Sequence, residues 1–202
     1  MKFFLFISSL LTLFLVSCAT VERDTNSELL ISVADQHMLL TKDGIPVKSY
    51  PVSTSKFGLG SKSGSRRTPL GNMEIAEKIG GGAPSGAVFK SRKRTGEILK
   101  PNAPGRDPIV TRIMWLTGKD SHNRNTYSRY IYIHGTPEEY RIGQAASYGC
   151  IRMRSKDIID LYKRVGVGAQ VRIFRHGLMN TPQGRTYAQY NSAAISRSIA
   201  GN

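Results

Sequence analysis

The chain has 202 residues, with 29 lysines and arginines against 14 aspartates and glutamates, for a formal net charge of +15. That length gives one domain a real hydrophobic core and excludes two full domains with linkers. An apolar content of 40% with 21% charged residues excludes a disordered or membrane-embedded chain, and the basic balance draws anionic partners: nucleic acid, anionic membrane or an acidic polymer.

Met1 and Lys2 precede an apolar run from Phe3 to Val16, broken only by Ser8, Ser9 and Thr12. The run is shorter than the ~20 residues a spanning helix needs and suits the apolar region of a secretory signal. It closes on Leu15-Val16-Ser17-Cys18, which resembles the lipobox of bacterial lipoproteins. The resemblance implies cleavage after residue 17 and lipid on Cys18, hence an exported, membrane-anchored protein on the periplasmic side. Ala19, in place of an aspartate, leans toward the outer membrane. Export argues against nucleic acid and leaves cell wall or anionic lipid. Losing residues 1–17 removes one lysine, so the mature chain stays strongly basic.

Residues 18–28 read as the lipidated cysteine and a polar tether. Strands are expected at 29–33, 36–41 and 45–53, with Asp43-Gly44 as a turn. Residues 54–71, rich in Gly, Ser, Lys and Arg, read as a loop, and 72–79 as a strand. The stretch 83–108, with Pro84, Pro101, Pro104 and Pro108 and a cationic knot at Lys90, Arg92, Lys93 and Arg94, reads as a long functional or mobile loop. Strands follow at 109–116 and 130–134. Ser155 is the expected cap of a helix with Asp157 in its first turn, an apolar face at Ile158, Ile159, Leu161, Tyr162 and Val165, and Gly166 after its end. A last strand covers 169–174. The tail from 176 to 202 lacks a period and is expected to be partly disordered. The sum is a mainly β sandwich or barrel-like domain, residues 29–175, with one main helix.

Cys18 and Cys150 are the only cysteines. With Cys18 lipidated, Cys150 has no disulfide partner in an oxidising compartment, which marks it as a reactive nucleophile or an inert buried residue. His134 ends a strand 16 positions earlier, near enough for the intervening loop to bring them together. An imidazole beside a thiol can take its proton. Gly135 leaves the approach open, and its carbonyl could hold the far ring nitrogen. Gly149 allows a sharp turn that can aim the amides of Gly149 and Cys150 at an oxyanion. Arg152 has the fork to bind a substrate carboxylate. His37, His122 and His176 read as structural or exposed, and no spacing suggests a metal site.

His134-Gly135 followed by Ser147-Tyr148-Gly149-Cys150-Ile151-Arg152 resembles the signature of the L,D-transpeptidase catalytic domain, the YkuD or ErfK type. Ile31-Ser32-Val33, Gln36, Asp43-Gly44, Pro51-Val52-Ser53 and Arg67-Thr68-Pro69-Leu70-Gly71 extend the resemblance over residues 29 to 174. It implies a mainly β fold, peptidoglycan peptide stems as substrate, and no metal or cofactor. It implies Cys150 as nucleophile, His134 as base and then acid, and Gly135 orienting the imidazole through its backbone. Ser147, Tyr148 and Arg152 are the expected substrate contacts. Many members carry a second histidine where this chain has Tyr148. A stem amine as acceptor gives a 3–3 cross-link. Water would make the enzyme an L,D-carboxypeptidase, and a lipoprotein amine would make it an attachment enzyme. The reading outside the enzymes is an inactive wall-binding module.

Overall fold

The computed structural model describes residues 22–200, with side chains to residue 192. The expected signal peptide and the lipidation of Cys18 lie outside the described residues. Ten strands form one connected sheet: β1 Ser27–Ser32, β2 His37–Lys42, β3 Ile45–Pro51, β4 Gly71–Ile79, β5 Ala87–Lys90, β6 Lys93–Ile98, β7 Ile109–Gly118, β8 Tyr132–Gly135, β9 Ile151–Met153 and β10 Gln170–Phe174. Among the described residues there are two α-helices, α1 Ser155–Arg164 and α2 Pro182–Ala200. The main path runs β3-β2-β1-β10-β4-β7-β5-β6, with β8 added to β7 and β9 to β8. Pairing is antiparallel except for β1 with β10 and β8 with β9. The mainly β expectation holds.

Strand alternation divides the interior into two cores. Met114 and Leu116 of β7 point into the main core with Leu29, Ile31, Met73, Ile133, Ile151 and Ile173. Ile113 and Trp115, the intervening residues of β7, point the other way, into a smaller cluster with Phe89 and Tyr132, against which Cys150 packs. Helix α1 closes the main core with Ile158, Leu161 and Val165, spaced three and four apart so that they share one face.

The helix is not capped as expected. Arg154 is the N-cap, without a side-chain hydrogen bond. Ser155 already lies inside the helix; its amide donates to Glu139 Oε1 at 2.7 Å, and its hydroxyl lies 2.8 Å from Thr111 Oγ1. A remote carboxylate thus does the capping, and the serine is spent on β7. At the other end Lys78 Nζ donates to the carbonyls of Tyr162 and Val165, placing a cation where the helix dipole is negative.

Three segments differ from the sequence reading. Residues 83–108 hold the β5–β6 hairpin. Its turn residues Ser91 and Arg92 have φ of 48° and 67°, the left-handed pair of a tight hairpin, but without the Asn-Gly signal that would reveal it. The expected tether is docked before its end: the Asp24 amide donates to Val167 O at 2.7 Å, and Asp24 Oδ2 accepts from Gly166 at 2.7 Å. The tail expected to be partly disordered carries α2. It lies against β3, where Tyr187 Oη meets Ser49 N and Oγ at 3.3 and 3.2 Å.

Candidate active site

β8 and β9 pair in parallel register, with Ile133 opposite Ile151 and His134 opposite Arg152. Continued one step back, that register sets Cys150 beside Tyr132. Side chains two apart share a face, so Tyr132, His134, Cys150 and Arg152 are on one side of the sheet. They line a common cavity of about 240 Å³ with Asp107, Ile109, Tyr130, Ser147 and Tyr148. The structure therefore brings together all the side chains singled out around the cysteine motif.

Gly135 is required at its position. A Cβ there would lie 2.6 Å from Val110 O and 3.1 Å from Thr111 Cβ, because β8 crosses the irregular step of β7 between Val110 and Ile113. Gly149 has φ of +122°, a conformation open mainly to glycine. The turn is held from outside: Thr68 Oγ1 donates to Gly149 O at 3.0 Å and accepts from the Ser55 amide at 3.0 Å. This gives the Thr68-Pro69 segment a physical task, buttressing the cysteine turn. Ser147 Oγ donates to Cys150 O at 2.6 Å and accepts from the Gly149 amide at 3.2 Å. The Gly149 amide, one of the two expected oxyanion donors, is thus directed at Ser147.

His134 Nδ1 is 2.8 Å from the carbonyl of Gly135. A carbonyl only accepts, so Nδ1 carries the proton and the other ring nitrogen, Nε2, has its lone pair free in the neutral ring. Burial lowers the His134 pKa, partly offset by the Gly135 carbonyl and by Asp107. The Cys150 thiol is partly exposed by surface, yet loss of solvent around it pushes it up to about 11, opposed by the Tyr132 amide and by Arg152 and Arg129. Both shifts favour a neutral thiol beside a neutral imidazole at rest.

Arg152 is 2% exposed. One edge of its fork is committed: Nη1 is paired with Asp107 and Glu138. Nε and Nη2 have no hydrogen-bond partner among the described residues. The group expected to offer a positive fork to a carboxylate is already matched by two carboxylates of the protein itself. Neither acid is marked by any sequence motif, and Asp107 arrives from the stretch read as a loop. Arg129 was also missed; it donates to Arg67 O at 2.7 Å and to Gly60 O at 3.2 Å, and its charge acts on Cys150.

Tyr148 stands at the mouth, 56% exposed, with Phe57 at 5.5 Å and Lys56 Nζ 4.5 Å above its ring. The remaining histidines stay away from the site. His37 lies 3.0 Å from Asp35 O, His122 lies 3.2 Å from Leu70 O, and His176 stacks on Phe174. Among the described residues no group of three or more His, Cys, Asp or Glu is arranged to hold a metal ion.

Residues 26–173 match the family profile of the L,D-transpeptidase catalytic domain, YkuD. The chain belongs to that family. A Bacillus subtilis protein named as the L,D-transpeptidase YkuD is 51% identical over 81 residues, 40% of this chain and 49% of its own length. An L,D-transpeptidase of Fuscovulum blasticum, named for its place in the ATP synthase subunits region, is 34% identical over 107 residues, 52% of this chain and 50% of its own. Among solved structures, L,D-transpeptidase 3 from Mycobacterium tuberculosis in complex with a faropenem-derived adduct is similar over 75% of this chain and 60% of its own, with 18% identity and a TM-score of 0.49. This L,D-transpeptidase domain spans about half or less of the length of the curated relatives it matches.

Proposed function

We propose that this chain is a cysteine L,D-transpeptidase acting on tetrapeptide stems of peptidoglycan. The observation that carries the reading is the presence of the Cys150 thiol and His134 in one cavity, with Nδ1 of the imidazole on Gly135 O so that Nε2 keeps a free lone pair. In this reading His134 Nε2 takes the thiol proton as sulfur attacks the carbonyl of the L-centre of the diamino acid. The developing oxyanion takes hydrogen bonds from the backbone at Cys150, joined by Gly149 if its amide leaves Ser147. The C–N bond to the terminal D-alanine then breaks, and the imidazolium returns its proton to the leaving amine. The resulting thioester is attacked by a side-chain amine of a second stem. The C–S bond breaks, the thiol is re-formed, and a 3–3 cross-link results. Ser147, Tyr148 and Arg152 line the cavity that would receive the stem.

The neutral resting pair fits this order. A thiol that ionises only as it attacks is protected from oxidation between turnovers, and a neutral imidazole is the form that can accept its proton. Cleavage after residue 17 and lipid on Cys18 would hold the domain at the membrane facing the wall. The test is mass spectrometry of the protein incubated with disaccharide-tetrapeptide, beside Cys150→Ala. The proposal requires D-alanine release and a cross-linked dimer, both absent in the variant. Release without dimer, with an amine acceptor supplied, would instead make the enzyme a carboxypeptidase. No release at all would point to a wall-binding module.

A further inference from the structure

A second cavity, of about 470 Å³, opens between residues 63–66 and 128–131. It shares Tyr130 and Tyr148 with the cavity of Cys150, so the two adjoin at these two rings. Their charge is opposite in character. On the Arg152 side, one guanidinium faces the carboxylates of Asp107 and Glu138. The second cavity is lined by Arg66 and Arg129 and by no acidic residue. None of the ion pairs among the described residues involves Lys56, Arg66 or Arg129.

These cations are held in place without being neutralised. Arg129 is fixed by the carbonyls of Arg67 and Gly60, which orient the guanidinium and leave its charge intact. Its burial opposes the charged form, and no carboxylate repays that cost. Arg66 and Lys56 lie 5.7 and 4.5 Å from the Tyr148 ring, and Lys56 Nζ also donates to Tyr148 Oη at 3.2 Å. Tyr148 thus gathers cations at the mouth through the negative face of its ring. The Arg66 guanidinium, which makes ring contacts alone, keeps its fork open for a planar carboxylate, while Arg129, its fork committed to Gly60 O, Arg67 O and Ser65 Oγ, contributes its charge.

We propose that this second cavity is an anion subsite that takes a carboxylate of the peptide stem, with Arg66 and Arg129 as its specificity-determining residues and Tyr148 as the residue that positions Arg66. The inference rests on the reading that Cys150 acts on a peptide stem. It adds that the site distinguishes a stem with free carboxylates from the same stem with those groups converted to carboxamides. The carboxamide has the same shape and no charge, so the difference isolates the electrostatic contact.

The test is calorimetric binding to the full-length Cys150→Ala protein, which cannot turn over. The probes are disaccharide-tetrapeptide with free carboxylates and its carboxamide counterpart, each at low and high salt. The free acid is expected to bind about 3- to 10-fold more tightly at low salt, as a charge-assisted pair does, and to lose that advantage at high salt. The Arg66 side chain makes only ring contacts, so Arg66→Gln removes the charge without removing a hydrogen bond that holds the fold. It is expected to abolish the preference, and Arg129→Gln to do the same. Equal binding of the two probes, binding of neither, or a preference that persists in both variants would overturn the subsite. D-alanine release by the unmodified protein separates this proposal from the catalytic one. A preference without release sinks the transpeptidase and leaves the subsite. Release from both stems at equal KM sinks the subsite and leaves the transpeptidase.

Discussion

Cys150 Sγ directs its proton to the carbonyl oxygen of Tyr130 at 3.4 Å. On its other side the same sulfur accepts from the Tyr132 amide, also at 3.4 Å. The first contact suits only the thiol, since a carbonyl repels a thiolate; the second suits the thiolate better. Tyr130 holds its carbonyl there from a left-handed conformation with φ of 56°, uncommon for a bulky residue. The rate of alkylation by iodoacetamide is therefore expected to climb through the alkaline range, with a midpoint near the thiol's about 11. A midpoint near neutrality would mean a thiolate–imidazolium pair formed in advance.

His134 is buried and favours its neutral form. Between its native and unfolded pKa values the unfolded chain binds more protons, so stability rises with pH across that window. It is lost as pH falls through and below the unfolded value near 6.5. His134→Gln should flatten the slope of denaturant-derived stability between pH 5 and 7, on a ~pH scale set by that ordinary histidine value, and lower D-alanine release by about 10²- to 10⁴-fold. An unchanged slope would show that the imidazole already titrates freely in the native state.

Arg152→Met leaves Asp107 and Glu138 facing one another without a cation. Removing one member of a fully buried ion pair costs about 3–5 kcal/mol. Here the two carboxylates keep side-chain exposures of 20% and 19%, so a loss of about 2–3 kcal/mol is expected. Paired denaturant melts of both proteins at ~pH 7, where both carboxylates are ionised, measure it, and an unchanged stability would refute the account.

Leu161 has no exposed surface and sits where α1 meets the main core. Leu161→Ala should cost about 2–5 kcal/mol in chemical denaturation, from lost transfer energy and an unfilled cavity. Because the helix follows β9 directly, alkylation of Cys150 should also lose its alkaline dependence at denaturant levels the unmodified protein tolerates.

Tyr187 joins α2 to Ser49 of β3. Tyr187→Phe should cost about 1 kcal/mol and reduce amide protection in α2 while leaving that of β10 unchanged. Equal loss in both would mean that α2 and the sheet open as one unit.

Strands β4 and β10 were legible in the sequence as alternating strands that bury one face, and β1, β2 and β7 as short apolar runs buried on both faces. The β8–β9 pairing brings the strand end of His134 beside the glycine turn of Cys150, and both line one cavity. The β5–β6 hairpin was hidden because β6 is exposed along its whole length and its turn uses Ser91 and Arg92 in place of glycine. Three-residue β9 is too short to show a period. Helix α2 has no apolar stripe in its sequence to announce it, and Tyr187 is what ties it to β3. Arg152 could be recognised as important, but its partners Asp107 and Glu138 come from separate loops and no local pattern announces them.

The last strand occupies the middle of the sheet. β10 lies between β1 and β4, and its parallel pairing joins residues 28–32 to 170–174. Along the sheet path the first three strands connect to the remainder only through this strand, so the hydrogen-bonded path cannot close until nearly the whole chain is available. A nascent or threading polypeptide thus holds two unjoined half-sheets, each with an open edge ready to pair with another chain. Closure over so long a separation is slow, and the protein's solubility while folding depends on how those two edges are kept apart from strangers until residue 174 arrives.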